Sequence, residues 1–133
     1  MGGDLDALLA RARDAAQRAY APYSHFRVGA ALQAADGAVF VGCNVENASY
    51  GLTVCAERIA IFNAIAAGAA RPFAALAVSC IDAQSGGCSP CGACRQVMAE
   101  HLRADAGIAV DGLGQFTPSD LLPHSFRIES VQP

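Results

Sequence analysis

The sequence predicts a three-layer α/β/α sandwich with a mixed central sheet, built as a single domain over residues 1–133. Three observations lead to this prediction. The chain of 133 residues has the length of one domain. Its periodicity indicates helix, hairpin, helix, strand, helix and strand in that order. It contains no internal repeat, low-complexity segment or linker that would divide it.

The first predicted elements are a helix and a hairpin. Apolar residues recur at helical spacing over 5–19, and Pro22 ends this helix because proline cannot continue it. Two strand-like segments, 26–34 and 38–46, flank the Asp-Gly pair at 36–37, which is typical of a hairpin turn. The start of the chain therefore predicts one helix followed by two paired strands.

The second half of the chain predicts two longer helices separated by a buried strand. After a turn-rich loop, a helix starts near Cys55 and runs to about Ala67, with Gly68 where a C-terminal cap is expected. The remaining predicted elements are a strand over 73–81, a loop, a helix that begins with 94–102, a strand over 107–110 and one short helical turn over 117–123, behind Thr117 as its cap.

Composition narrows the class of protein. Hydrophobic residues make up 53% of the chain and charged residues 16%, which is typical of a folded core. Only nine residues are Lys or Arg and the net charge is -3, which argues against nucleic acid as a partner. No apolar run is long enough to span a bilayer, and the N-terminus does not read as a signal peptide. We therefore expect a cytoplasmic protein with no membrane partner.

Three of the six cysteines are spaced as metal ligands. Cys55 stands at the start of a predicted helix, and Cys91 and Cys94 form a Cys-x-x-Cys at the start of the next one. A helix N-terminus favours a thiolate over a thiol, and thiolates bind Zn²⁺ well. Three sulfurs leave one corner of a tetrahedron open, which is typical of a catalytic rather than a structural zinc.

Glu57 lies two residues after Cys55, so it can be near the metal without binding it. A carboxylate there can move protons between water and a substrate. A lone Cys-x-x-Cys also occurs in redox pairs and structural zinc knuckles. With Cys88, the cysteines could instead close a four-sulfur structural site. A structural site does not require Glu57, so the conjunction favours catalysis.

Three motifs resemble those of small, zinc-dependent, homotetrameric cytidine deaminases. They are Asn44-Val45-Glu46-Asn47, Cys55-Ala56-Glu57-Arg58 and Pro90-Cys91-Gly92-Ala93-Cys94, and the resemblance extends from Tyr20 to Phe126. It implies hydrolysis of cytidine and 2'-deoxycytidine to uridine and 2'-deoxyuridine plus ammonia, in pyrimidine salvage. It also implies a homotetramer with sites at subunit interfaces.

The resemblance also implies a role for each site residue. Glu57 is the catalytic acid–base, and Arg58 donates hydrogen bonds to the ligand sulfurs and withdraws charge from them. Asn44 and Glu46 alternate along a strand end, so both can face the ribose hydroxyls. The other implied substrate contacts are Phe26 near the base, Ala56, Tyr50 in a loop that reaches a neighbouring site, and Phe126 closing over a base from another subunit.

Two alternatives stay open at this point. One is a zinc-stabilised structural or binding protein that uses four cysteines. The other is an enzyme that deaminates a different aminated heterocycle, such as a pyrimidine-nucleoside antibiotic. The C-terminus also differs from the family pattern, because Arg127-Ile128 follows Phe126 where relatives commonly carry glycine and an acidic segment.

Overall fold

In the computed structural model, which describes residues 2–84 and 88–128, the strands form one five-stranded mixed sheet. The strands are β1 (Val28–Gln33), β2 (Val39–Cys43), β3 (Phe73–Cys80), β4 (Leu102–Val110) and β5 (Gly114–Phe116). Their order across the sheet is β2-β1-β3-β4-β5. β1 pairs antiparallel with both β2 and β3, β3 and β4 are parallel, and β5 is antiparallel to β4.

The helices cover both faces of this sheet. They are α1 (Gly2–Ala16), α2 (Ala56–Ala66), α3 (Gly92–His101) and the short α4 (Pro118–Leu121), with one 3₁₀ turn at Tyr50–Leu52. α1 packs against β1, β2 and β3 on one face, and the residues of α2 and α3 join the core on the other. This arrangement confirms the predicted α/β/α sandwich.

Alternating side chains of the strands divide the core into two layers. Along β1, Ala30 and Leu32 point toward α2 and α3, whereas Ala31 points toward α1. Two glycines let the helices approach the sheet closely. A Cβ at Gly29 would lie 1.9 Å from a carbonyl oxygen of α1, and a Cβ at Gly42 would lie 2.4 Å from a backbone nitrogen of α2. Neither helix could keep its position if these residues carried side chains.

Most predicted elements are present with bounds shifted by a few residues. The hairpin turn at 36–37 is confirmed, Gly68 has φ +74°, and Thr117 forms a capping box with Asp120. The last strands differ from the prediction. β4 begins at Leu102 rather than 107, because pairing of Leu102 with Phe73 extends the strand over an exposed, polar stretch. β5 was not predicted, since its three residues form a strand only by pairing with β4.

Among the described residues, no helix combines the length and the apolarity that a bilayer crossing requires. The longest helix is α1, with 15 residues and charged side chains in both its first and last turns.

Candidate active site

The sheet topology brings two helix N-termini to one edge. β2 and β3 run in the same direction, because both are antiparallel to β1. α2 follows β2 and α3 follows β3, so both helices begin beyond carboxyl ends that lie at the same edge of the sheet. The residues that precede each helix are therefore neighbours in space although they are 36 positions apart in sequence.

The three predicted ligand sulfurs meet at this edge. Cys55 is the N-cap of α2, Cys91 is the N-cap of α3, and Cys94 lies in the first turn of α3. The Sγ atoms of Cys55 and Cys91 are 3.8 Å apart, those of Cys91 and Cys94 are 3.4 Å apart, and all three lie within 4.8 Å of one another. Neither N-cap sulfur accepts a capping hydrogen bond from the backbone of its own helix, so both sulfurs are available to a shared ligand.

This donor set fits a zinc ion. Four ligands at about 2.3 Å around Zn²⁺ place neighbouring sulfurs about 3.8 Å apart in a tetrahedron. The separations found here are close to that value without any change of fold. Three soft thiolates and no carboxylate or imidazole in the set favour zinc over magnesium or calcium.

Cys88 is not part of this group of sulfurs. It lies against Cys80, and the pKa of the Cys88 thiol is raised to about 12, first by burial and then by the neighbouring Cys80. Its sulfur lies outside the set of Sγ atoms that fall within 4.8 Å of one another. The four-sulfur structural site considered from the sequence is therefore not what the fold assembles.

Glu57 lies beside the three sulfurs in the first turn of α2 and is only 4% exposed. Its pKa is raised to about 7, mainly by burial and further by the charge of Cys55. The close approach of α2 to Gly42, next to the fully buried Ala56, holds this turn against the sheet. A carboxyl with a pKa near neutrality can both accept and return a proton, which is the requirement for an acid–base catalyst.

Arg58 compensates negative charge on the sulfurs. Its Nη2 donates to Cys55 Sγ at 3.6 Å, and its pKa is raised by this contact first and by Cys94 as well. The pKa of the Cys55 thiol is lowered to about 5, mainly by a hydrogen bond from Cys94 and to a smaller degree by the one from Arg58. The hydrogen bond between the two cysteines raises the pKa of Cys94. Among the described residues, the buried Nε of Arg58 has no hydrogen-bond partner, and the guanidinium reaches the sulfurs through its Nη2.

Asn44 has a structural task that the sequence did not reveal. Its side chain is 8% exposed, its Oδ1 accepts from the Val28 amide at 2.9 Å, and its Nδ2 donates to the Phe26 carbonyl at 2.8 Å. The amide thus braces the backbone around Phe26. One Nδ2 hydrogen and one Oδ1 lone pair remain for a ligand.

Glu46 is fixed by the loop that follows α1. Its carboxylate accepts from the Tyr23 amide at 2.9 Å, from the Ser24 amide at 3.1 Å, and from the Ser24 hydroxyl. The pKa of Glu46 is lowered, mainly by the Ser24 hydroxyl. The next residue, His25, has φ +62°, a left-handed backbone that shapes this loop. Glu46 therefore presents a preorganised, ionised carboxylate.

A cavity of about 420 Å³ lies over Glu46. Its lining residues are Tyr23, Ser24, Glu46, Tyr50 and Thr53. The rings of Tyr23 and Tyr50 meet edge to face, with centroids 6.0 Å apart. Tyr23 and Ser24 were not assigned a role from the sequence. The signal that could have found them is the irregular Pro-Tyr-Ser stretch, whose free backbone amides need acceptors.

Three predicted substrate contacts lie on the surface of the chain. Phe26 is half exposed, Tyr50 is 75% exposed and Phe126 is 73% exposed. Neither Phe26 nor Phe126 lines the cavity over Glu46.

Comparison with known proteins places this site in a family. Residues 4–107 match the family model described as the cytidine and deoxycytidylate deaminase zinc-binding region. This match contains Cys55, Glu57, Cys91 and Cys94 and covers well over half of the chain.

Curated relatives and a solved structure resemble the chain over nearly its whole length. A cytidine deaminase of Halalkalibacterium halodurans is 46% identical over 96% of this chain and 98% of its own. One from Sporosarcina psychrophila is 44% identical over 96% and 95%. The crystal structure of cytidine deaminase from Burkholderia pseudomallei superposes with a TM-score of 0.82 at 49% identity, covering 91% of this chain and 98% of that one.

Proposed function

The chain belongs to the cytidine deaminase family and is an enzyme of that class, and on this premise we propose its reaction, its substrates and the roles of its residues. It catalyses hydrolytic deamination of cytidine and 2'-deoxycytidine to uridine and 2'-deoxyuridine plus ammonia. The observation that supports this best is the conjunction of a buried Glu57, with a pKa of about 7, and three converging cysteine sulfurs.

Cys55, Cys91 and Cys94 would hold Zn²⁺, which fits the separations of their sulfurs. Zinc in such a site acts as a Lewis acid that makes water nucleophilic near neutral pH. Arg58 donates to Cys55 and balances part of the negative charge of three thiolates. These four side chains lie in the first turns of two helices or cap them, so the site is rigid.

Glu57 moves the protons. Its carboxylate accepts a proton from the attacking water, donates to the base nitrogen N3, and later donates to the departing amine. Burial is what makes one group capable of these three transfers, because it brings the pKa of the carboxyl to about 7. Proton transfer then proceeds in both directions without a large energetic cost.

Asn44 and Glu46 bind the ribose hydroxyls. Asn44 keeps a free donor and a free acceptor after bracing Phe26, and Glu46 adds a fixed carboxylate. Loss of the whole sugar would leave these groups unpaired, so free bases are poor substrates. The ionised Glu46 repels a phosphate near the sugar, which favours nucleosides over deoxycytidylate and CMP.

The exposed aromatic residues complete the site between subunits. In the proposed homotetramer, Phe26 contacts the base within one subunit, whereas Tyr50 and Phe126 reach the site of a neighbour. Ala56, the remaining predicted substrate contact, is fully buried in the single chain and supports the turn that carries Glu57. The high exposure of Tyr50 and Phe126 in the single chain supports this assignment. We place the enzyme in the cytoplasm, in pyrimidine salvage.

The test is ammonia release from cytidine, 2'-deoxycytidine, cytosine, CMP and adenosine, measured together with zinc content. Of these five compounds, we expect the enzyme to deaminate only cytidine and 2'-deoxycytidine. Glu57→Gln should keep its zinc and lose activity by about 10²–10⁴-fold. Loss of zinc from Glu57→Gln would show that the carboxylate is a ligand, and turnover of none of the five compounds would contradict the proposed substrate class.

A further inference from the structure

The C-terminal segment (residues 121–127) is attached to α3 by side-chain hydrogen bonds. Gln96 Nε2 donates to the carbonyl oxygen of Phe126 at 2.8 Å. One residue later, Arg127 Nη2 donates to the carbonyl oxygen of Ala99. The backbone at Phe126 is therefore held by two hydrogen bonds, one that its own carbonyl accepts from Gln96 and one that the next residue, Arg127, donates to α3.

These bonds fix the backbone of Phe126 and leave its ring free. The side chain of Phe126 is 73% exposed, so packing within the chain does not determine where the ring points. Among the described contacts, the hydrogen bonds of Gln96 and Arg127 are the ones that hold the backbone from which the ring extends. Gln96 and Arg127 therefore set the direction in which an otherwise unsupported aromatic ring leaves the surface.

Arg127 is well placed for this task. Ala99 lies in the last turn of α3, where carbonyl groups have no partner within the helix and carry the negative end of its dipole. A guanidinium is favoured there by charge as well as by hydrogen bonding.

A third bond joins the other end of the segment to the metal-site loop. Arg95 Nη1 donates to the Leu121 carbonyl at 2.8 Å, and its Nε donates to the Pro90 carbonyl at 2.8 Å, next to Cys91. α3 thus carries two metal-ligand cysteines at its start and the anchors of the C-terminal segment along its length. The same helix therefore holds both the backbone of Phe126 and the proposed zinc ligands Cys91 and Cys94.

We propose that Gln96 and Arg127 are positioning residues that present the Phe126 ring to the substrate site of a neighbouring subunit. This inference rests on the proposed function, in which Phe126 closes over the base. Without the anchors, the ring must be ordered each time a substrate binds, which weakens binding and leaves the chemistry at Glu57 untouched. The expected signature is a raised KM with little change in kcat.

The kinetic test compares Gln96→Ala and Arg127→Ala with the unchanged enzyme. Each should raise KM for cytidine by about 3–10-fold and change kcat by less than about twofold. Arg127→Lys should recover part of the loss, because an ammonium can also cap the α3 carbonyls. Arg103→Ala is the matched control, since Arg103 is an exposed arginine that lines a surface cavity together with Ala99 and Arg127. Within the part of the chain that the structure describes, its ion pair is with Asp105.

A double-mutant cycle shows whether the anchors act through Phe126. Phe126→Ala should raise KM at least as much as either anchor variant does. Adding Gln96→Ala to Phe126→Ala should then change KM no further, because there is no ring left to position. Additive effects on KM, or a fall in kcat with KM unchanged, would overturn the inference.

Fluorescence supplies a readout that does not depend on turnover. The chain contains no tryptophan, so Phe126→Trp introduces a unique probe. Its steady-state anisotropy should fall when Gln96→Ala or Arg127→Ala is added, and should not change with Arg103→Ala. Unchanged anisotropy in both anchor variants would overturn the positioning role. A fall in anisotropy in a protein that deaminates no nucleoside would support the positioning role and contradict the proposed function instead.

Discussion

The metal-binding region and the aromatic region of the site are built in different ways. Cys94 and Glu57 are buried where α2 and α3 begin, and their contacts lie within one chain. Tyr50 and Phe126 lie on irregular segments and are about three-quarters exposed. The comparison teaches that the three sulfurs and Glu57 converge within the single chain, whereas the two aromatic side chains gain little packing from it.

The difference follows from what each region must do. Metal ligands and a proton carrier have to be held within tenths of an ångström, and rigid helix starts achieve this. A surface that closes over a substrate has to admit and release it, so it is drawn from loops. Changes in the metal region should therefore affect metal content and turnover, and changes in the aromatic region should affect KM.

The largest effect is expected from Cys94→Ser. A serine hydroxyl stays protonated near neutral pH and is a much weaker zinc ligand than a thiolate. The variant should lose its zinc and all measurable deamination, while Cys88→Ser should retain both because Cys88 lies outside the group of three sulfurs. Metal analysis and ammonia release check this. Zinc loss from Cys88→Ser would restore the four-sulfur interpretation.

The second effect concerns the stability of the metal-free protein. The pKa of Glu57 is about 7 in the folded chain against an ordinary value of 4.5, so folding favours its protonated form. Stability falls as the pH rises through this window, because above it the folded state must hold a buried charge. A difference of one pKa unit corresponds to about 1.4 kcal/mol. Relative to the unchanged protein, the free energy of unfolding of Glu57→Gln should therefore rise by up to ~3 kcal/mol above about pH 7, and by almost nothing below about pH 4.5.

Urea unfolding of EDTA-treated, reduced protein at about pH 5 and about pH 8 measures this difference. Glu100→Gln, on the exposed face of α3, is the control and should show no such gain. A Glu57→Gln variant with the same relative stability at both pH values would show that the carboxyl is not held in a desolvated site.

A smaller effect is expected from Arg58→Ala. Loss of the donor to Cys55 leaves more negative charge on the sulfurs and makes the metal a weaker Lewis acid. Activity near neutral pH should fall by about 10–100-fold, and the pH at which activity rises should move upward. Arg58→Lys should recover only part, because an ammonium lacks the planar fork. A pH–rate profile that is unchanged, with zinc retained, would reduce Arg58 to an ordinary surface charge.

The meeting of the three cysteine sulfurs could be predicted from the sequence because the motifs that carry them are local. Two short motifs at two helix starts contain the three cysteines, Glu57 and Arg58, and a mixed sheet brings such starts to one edge. The helix bounds were correct to within a few residues for the same reason, since caps such as Gly68 act through neighbouring backbone.

The contacts of the substrate region could not be predicted in the same way. Glu46 accepts from a loop more than 20 residues earlier, and that loop depends on the left-handed backbone of His25. Asn44 was assigned to the ribose, yet two of its groups hold the backbone on either side of Arg27. No periodicity or spacing encodes such contacts, and the roles of the exposed aromatic residues stay predictions.

The central claim is that the metal region acts within its own subunit while Phe126 acts in the site of a neighbour. Co-expression of Glu57→Gln and Phe126→Ala subunits with different tags, followed by purification through both tags, tests this claim directly. Glu57→Gln subunits have no acid–base catalyst but keep Phe126, and Phe126→Ala subunits have the reverse. The account predicts that mixed assemblies deaminate cytidine with a KM restored toward that of the unchanged enzyme. A KM that stays at the value of the Phe126→Ala homo-oligomer would contradict it.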